Sequence, residues 1–166
     1  MEKKYKLTEE TLEIEGHVLN RIIALRDFGE VKKGDLGGFI EKESNLAHDL
    51  NCWIYNDAKV YSNAMVYGNA MVYGNAEVYG DAMVYGNAKV YGNAKVEKKS
   101  DYIVFKNWWS SGRYFTWTRS NDMWSVGCFY GTGEELIKKA YKDSEEKGRE
   151  YKRIVKYVEL IKSEIK

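Results

Sequence analysis

A six-residue repeat runs from Ala58 to Val96 and limits the fold more than any other feature of the chain. Successive units read Ala-Lys-Val-Tyr-Ser-Asn, Ala-Met-Val-Tyr-Gly-Asn and Ala-Glu-Val-Tyr-Gly-Asp, with small variations. A unit this short cannot bury an apolar side on its own, so it must stack on its neighbours to share one core. The period therefore predicts a solenoid in which each unit is a short strand followed by a corner.

Alternation within each unit predicts which side chains point inward, because successive residues of a strand face opposite sides. Ala and Val, two positions apart, form the inward set: Ala58, Ala64, Ala70, Ala76, Ala82, Ala88 and Ala94, with Val60, Val66, Val72, Val78, Val84, Val90 and Val96. Gly followed by Asn or Asp supplies the backbone freedom for each corner. Three units, or eighteen residues, then close one triangular coil, whereas a five-residue period would have predicted a square one.

The same spacing sorts the outward residues onto three faces. The first face holds Lys59, Tyr61, Glu77, Tyr79, Lys95 and Glu97. The second face holds Met65, Tyr67, Met83 and Tyr85, and the third holds Trp53, Tyr55, Met71, Tyr73, Lys89 and Tyr91. The charges of the first face indicate a solvated ladder, but the other two faces are too apolar to be left wholly in water. We therefore expect an oligomer interface formed by Met65, Tyr67, Met71, Met83 and Tyr85.

The flanking segments predict two further parts. Residues 1–33 are expected to form a β-hairpin and cap, residues 34–97 the solenoid, and residues 98–166 a three-stranded antiparallel sheet with two helices. In the last part, one continuous strand is expected over 123–130, with Trp117 paired to Val126. Thr132 and Glu135 have the spacing of a capping box at the start of the first helix, and Gly148 is expected to end it.

The repeat resembles that of hexapeptide-repeat proteins found in phages and prophages, described as polymer-forming proteins or transferases. The segments that carry the resemblance are Leu36-Gly-Gly-Phe-Ile-Glu, Asn51-Cys-Trp-Ile-Tyr, the Tyr-Gly-Asn-Ala-x-Val array and the tail from Gly131 to Ala140. It implies a mainly β fold, a left-handed parallel β-helix with triangular coils, and a homotrimer. Fold does not imply function, so the resemblance leaves the chemistry open.

Enzymatic acyl transfer would need a general base, and the sequence offers only His17 and His48. His48 lies near Glu41 and Glu43 before the regular coils, where a carboxylate could orient its ring. The alternative interpretation is a cap histidine bonded to backbone. His17 falls in a predicted hairpin turn and is interpreted as a surface residue.

A binding function has two candidate sites. Arg113 and Arg119 flank Phe115 and Trp117 on one strand, and a guanidinium beside an aromatic ring suits a nucleotide. Trp53, Tyr55 and Tyr73 offer a second stacking wall on the third face. The alternative interpretation is that Phe115 and Trp117 belong to the core. A weaker possibility is an anion at the helix start after Gly131.

Composition excludes several classes of function. The chain has 26 Lys and Arg against 25 Asp and Glu, so we expect no direct nucleic-acid binding. It has no apolar run long enough for a membrane span and no signal-peptide core, which predicts a protein of the cytoplasm, here that of a bacterial host. Cys52 is expected to be a buried, inert thiol, and Cys128 to lie on the apolar sheet face. We expect no metal site and no cofactor.

The sequence thus leaves three functional hypotheses. The preferred one is a non-catalytic phage protein that sequesters or blocks a host factor, such as a small nucleotide-type immune signal or a host defence protein. The second is a hexapeptide-repeat acyltransferase that uses His48. The third is a structural or assembly module of the phage particle.

Overall fold

The computed structural model describes residues 2–165 and divides the chain into two compact units, Met1–Lys99 and Ser100–Lys166. In the described part of the chain, no helix is long and apolar enough to cross a membrane.

The N-terminal unit is built from eleven strands and one short 3-10 helix. The long strands come first: β1 (Tyr5–Ile14), β2 (His17–Ala24) and β3 (Leu36–Ile40), followed by the 3-10 helix Glu43–Asn45. Eight two-residue strands follow, one in each repeat unit: β4 (Trp53–Ile54), β5 (Lys59–Val60), β6 (Met65–Val66), β7 (Met71–Val72), β8 (Glu77–Val78), β9 (Met83–Val84), β10 (Lys89–Val90) and β11 (Lys95–Val96).

These strands stack as a parallel β-solenoid of about three turns, which confirms the predicted fold. Strands eighteen residues apart pair in register, so Lys59 lies beside Glu77 and Met65 beside Met83. Backbone hydrogen bonds join the coils; for example, the Met65 N–H donates to the Ala82 carbonyl at 2.9 Å. Three sheets form the walls: β3-β5-β8-β11, β4-β7-β10 and β6-β9.

The inward residues are those that alternation predicted. Every Ala and Val of the inward set is buried, with at most 1% of its surface exposed. At the corners, glycines with positive φ stack closely on one another: a β-carbon on Gly74 would lie 2.9 Å from the Gly92 carbonyl oxygen. The corner glycine is therefore needed for close coil stacking as well as for its torsion angle.

The first turn of the solenoid is capped by the antiparallel hairpin β1-β2, which extends the first sheet in the order β1-β2-β3-β5-β8-β11. Glu15 and Gly16 form its turn, both with positive φ. The repeat spacing predicts an outward Trp53, but this side chain is buried because Tyr5 and Phe28 pack on its ring.

The C-terminal unit is an antiparallel sheet with two helices. Its elements are β12 (Tyr102–Lys106), β13 (Tyr114–Thr118), β14 (Met123–Val126), β15 (Phe129–Gly131), α1 (Gly133–Asp143) and α2 (Glu145–Ile161). The sheet has four strands in sequence order, where the sequence predicted three. The expected strand over 123–130 is broken at Gly127, whose φ of 58° turns the chain back into β15. Cys128 is consequently exposed in this turn, and its predicted place on the apolar face is wrong.

The register of the central hairpin also differs from the prediction. Trp117 pairs with Trp124, and Phe115 pairs with Val126. The loop between the strands is four residues long, from 119 to 122, because the Asn121 carboxamide oxygen accepts bonds from the Thr118 hydroxyl and the Met123 N–H. This side-chain bonding replaces the two-residue turn on which the predicted register depended.

The helices follow the predicted capping but not the predicted boundary. Thr132 and Glu135 form the capping box at the start of α1. Helix α1 ends at Asp143, and Ser144 then caps α2 by accepting a bond from the Lys147 N–H at 3.1 Å. Gly148 lies inside α2, where the two helices approach closely: a β-carbon there would lie 2.2 Å from Cδ1 of Tyr141. The glycine serves helix packing, and its prediction as a helix end is wrong.

Gly148→Ala should lower the free energy of unfolding by about 1–3 kcal/mol, although alanine favours a helix, because the new methyl group overlaps the Tyr141 ring. The double variant Gly148→Ala/Tyr141→Ala should recover most of this loss relative to Tyr141→Ala alone. Urea unfolding followed by circular dichroism measures both. A Gly148→Ala protein as stable as the parent would contradict the packing role.

Candidate functional site

The second face of the solenoid is an apolar ladder. Met65 lies in register with Met83, and the rings of Tyr67 and Tyr85 stack with their centroids 5.1 Å apart and their planes 7° apart. Met65 is 41% exposed and Tyr85 is 47% exposed. The backbone fixes these side chains in rows, so the face offers a rigid, pre-organised contact surface.

The third face carries a longer aromatic stack. Tyr55 stacks on Tyr73 at 4.4 Å, and Tyr73 stacks on Tyr91 at 4.5 Å. The Tyr73 hydroxyl donates to the sulfur of Met71 at 2.8 Å, and burial raises the pKa of Tyr73 above its ordinary range. Because both faces of the Tyr73 ring stack on neighbouring rings, the stack first serves to hold the coils together. The use of Tyr55 and Tyr73 as a ligand wall stays a prediction.

The charges of the first face predicted a row of solvent-exposed side chains, but only part of this face is exposed. Lys95 and Glu77 form the expected pair at 3.6 Å. Tyr61, however, is buried against Leu19 and Phe39, since the hairpin β1-β2 folds over this end of the face. No local sequence pattern indicates this coverage, because the hairpin is some forty residues away along the chain.

His17 and Glu41 form a carboxylate–imidazole pair on the covered part of the first face. Nδ1 of His17 lies 2.9 Å from a Glu41 carboxylate oxygen, and the imidazole packs against the Tyr61 ring at 5.1 Å. The second Glu41 oxygen accepts the Ser62 N–H at 2.7 Å, and the His17 bond lowers the pKa of Glu41. Sequence reasoning missed this pair by placing His17 in a surface turn, whereas it is the first residue of β2.

His48 packs in the cap of the solenoid, against the start of β1. Its Nδ1 accepts the Lys4 N–H at 3.1 Å, and its ring stacks on Tyr5 at 4.3 Å. Nε2 is buried and has no hydrogen-bond partner among residues 2–165. Because Nδ1 is used as an acceptor, Nε2 carries the proton of the neutral ring and cannot accept one. This arrangement matches the alternative interpretation of a cap histidine bonded to backbone.

A buried lysine beside a cysteine completes the cap. The Lys4 ammonium is 3.2 Å from Sγ of Cys52 and donates to the Cys52 carbonyl at 2.8 Å. Burial lowers the pKa of Lys4 and raises the pKa of the Cys52 thiol. Cys52 is buried, as its inward register predicted, and a buried, protonated thiol is a poor nucleophile. Nothing in the local sequence of Lys4 indicates that it would be buried.

The aromatic rings of the predicted nucleotide site on β13 are not exposed for stacking on a ligand. Phe115 and Trp117 lie in the core of the C-terminal unit, and the Trp117 indole N–H donates to Asp122 at 2.7 Å. Arg113 and Arg119 are exposed beyond the two ends of the strand. The placement favours the core interpretation for the two rings, and ligand binding by Arg113, Trp117 and Arg119 stays a prediction.

The described residues, 2–165, contain no group of three or more His, Cys, Asp or Glu side chains that could hold a metal ion.

No protein-family model matches the chain. The chain is 40% identical over 62 residues to the uncharacterized acetyltransferase YdcK of Escherichia coli (strain K12), a match that covers 32% of this chain. The matched segment makes up only 19% of the length of that protein. Together with the stacked six-residue units, this similarity fits a hexapeptide-repeat β-helix.

Stability should depend on pH through His48. Its pKa is lowered, chiefly because burial disfavours the charged ring. The unfolded chain, with an ordinary value of about 6.5, then binds this proton at a higher pH than the folded chain, so the free energy of unfolding decreases as the pH falls below about 7. His48→Gln, which keeps an acceptor for the Lys4 N–H, should reduce this decrease between about pH 7 and 5. Urea unfolding at several pH values measures the slope, and an unchanged slope would contradict the buried neutral state.

Proposed function

We propose that the protein is a non-catalytic binding protein whose solenoid assembles into a homotrimer through its second face. The observation that carries the proposal is the ladder of Met65, Tyr67, Met83 and Tyr85, in which Met65 and Tyr85 are exposed and the other two are half-buried. Exposed Met and Tyr side chains in a fixed array are typical of surfaces that bind other proteins, since both bury large areas at modest entropic cost.

The composition of this face supports association over solvation. Its four outward side chains carry no charge, whereas the first face carries Lys59, Glu77 and Lys95. Burying an uncharged face costs little desolvation free energy, whereas an unpaired charge would cost much more. Three copies of a triangular coil can each present the same face to the common axis, which closes the assembly.

The binding role would then be carried by surfaces that the assembly leaves open. The exposed guanidinium groups of Arg113 and Arg119 suit an anionic group such as a phosphate. Capture of a small nucleotide-type signal or of a host defence protein is the role we propose for these surfaces. The phage origin, the anti-defence role, the alternative role in the phage particle and the cytoplasmic location stay predictions from the sequence.

Met65→Asp should dissociate the oligomer without unfolding the subunit, because it places a charge in the proposed interface and removes no intrachain hydrogen bond. Light scattering coupled to size exclusion should give the monomer mass for the variant and three times that mass for the parent. Thr11→Asp, which adds the same charge at an exposed position of β1, should remain trimeric. A monomeric parent, or a trimeric Met65→Asp protein, would refute the assignment of the face.

Acyl transfer is the second candidate function, and the similarity to an acetyltransferase favours it. The geometry changes which histidine would act. His48 has no free acceptor nitrogen, while the carboxylate of Glu41 orients His17, whose side chain is 34% exposed. A general base needs such an orienting partner and an accessible second nitrogen.

Incubation with acetyl-CoA and a panel of hydroxyl and amine acceptors separates the two functions. The binding proposal predicts no release of free CoA above the rate of the buffer. Release that His17→Gln abolishes and His48→Gln leaves unchanged would replace the binding proposal with an enzyme using His17.

A further inference from the structure

A cleft of about 300 Å³ opens in the C-terminal unit, between the β13-β14 loop, the start of α1 and the last turns of α2. Its lining combines tryptophan edges, two valines, charged groups and a helix start: Trp117, Asn121, Asp122, Trp124, Thr132, Gly133, Glu134, Val155, Val158, Glu159 and Lys162. The volume is in the range of small-molecule sites. All of its lining residues belong to the C-terminal unit.

A hydrogen-bond donor, the indole N–H of Trp124, lies at the surface of the cleft. Trp124 is 2% exposed, and its indole N–H makes no hydrogen bond within the part of the chain that the structure describes. Its Nε1 lies against Gly133, 3.3 Å from where a β-carbon on that glycine would be. The neighbouring Trp117, by contrast, donates its indole N–H to Asp122. Because this N–H lies on the cleft and no described residue accepts it, it is available to an acceptor group of a bound ligand.

The start of α1 adds two more donors beside Trp124. Thr132 and Glu135 cap each other: the Thr132 hydroxyl accepts the Glu135 N–H, and the Glu135 carboxylate accepts the Thr132 N–H at 2.8 Å. This leaves the N–H groups of Gly133 and Glu134, the first two of the helix, without an intrahelical acceptor. The positive end of the helix dipole thus lies beside the indole N–H, which suits a carboxylate.

Gly133 keeps this corner open. A β-carbon at Gly133 would lie 2.7 Å from Cγ1 of Val155 as well as close to Trp124. Any larger residue would push α1 away from Val155 and fill the space beside the indole. Glycine at the first position of a helix has no advantage in helix propensity, so its value here is steric.

The rim of the cleft selects against a polyanion. Asp122, Glu134 and Glu159 contribute three carboxylates to the lining, where Lys162 is bonded to Asp122 at 2.9 Å; Lys156, outside the lining, is bonded to Glu159 at 2.8 Å. Phosphate-rich ligands would be repelled, whereas an ammonium group would be attracted. Val155 and Val158 offer an apolar wall between these polar groups.

We infer that this cleft binds a small aliphatic amino acid. Its carboxylate would accept the N–H groups of Trp124 and of the α1 start, its ammonium group would face the carboxylate rim, and its side chain would pack on Val155 and Val158. Each part of the ligand corresponds to one part of the lining, and neither an anion nor an amine alone satisfies both polar ends.

Titration of the full chain with L-leucine, followed by ¹H–¹⁵N correlation spectra, tests the inference. The Trp124 indole resonance should shift saturably, while that of Trp117 should move little. The probes 4-methylpentanoate and isoamylamine, which each lack one charged group of leucine, should bind at least about tenfold more weakly. Absence of a shift up to about 20 mM L-leucine would overturn the inference, and so would equal affinity for 4-methylpentanoate.

Variants at the two ends of the cleft make the test specific. Trp124→Phe should weaken L-leucine binding about tenfold, measured by calorimetry. Because this buried change can also disturb the core, Glu159→Gln on the exposed rim provides the second test. It should weaken L-leucine binding and leave 4-methylpentanoate binding unchanged or stronger. Glu164→Gln, beyond the end of α2, should alter neither. Unchanged L-leucine affinity in Glu159→Gln would overturn the assigned orientation.

Discussion

The hydrogen bonds between coils, each joining residues about eighteen positions apart, are the interaction on which the N-terminal unit depends. Each two-residue strand is too short to be stable alone, and only stacking on its neighbours satisfies its backbone and buries its Ala and Val. The side chains that line the interior are these buried Ala and Val residues, which carry no polar or titratable group. Function must therefore be carried by outward side chains, by the cap, or by the C-terminal unit.

Stacking also explains why the outward faces differ so much in character. Identical positions of successive coils lie side by side, so any residue type that recurs at eighteen-residue spacing becomes a continuous row. Met65 with Met83 and Tyr67 with Tyr85 form an apolar strip in this way, and Lys95 with Glu77 forms a charged one. A surface generated by repetition is regular and rigid, which suits association with another regular surface better than it suits the irregular grouping of a catalytic site.

The sequence predicted the solenoid well because its determinants are local and repeated. Alternation fixed the direction of every Ala and Val, and the Thr132–Glu135 spacing located the start of α1. The sequence could not predict contacts between distant segments, such as the burial of Tyr61 under the hairpin or the His17–Glu41 pair. Gly148 shows the same limit: glycine ends helices and also lets them approach, and only the position of Tyr141 decides between the two. The free indole N–H of Trp124 likewise has no sequence signature.

Disulfide cross-linking tests the three-unit coil most directly. In a Cys128→Ser background, cysteines introduced at Lys59 and Glu77, which are in-register neighbours, should form an intramolecular disulfide under mild oxidation, since adjacent parallel strands lie within disulfide range. Cysteines at Lys59 and Met71, two units apart and on different walls, should not. Mass spectrometry distinguishes the products. Efficient linkage of the second pair and none of the first would contradict the coil and every face assignment built on it.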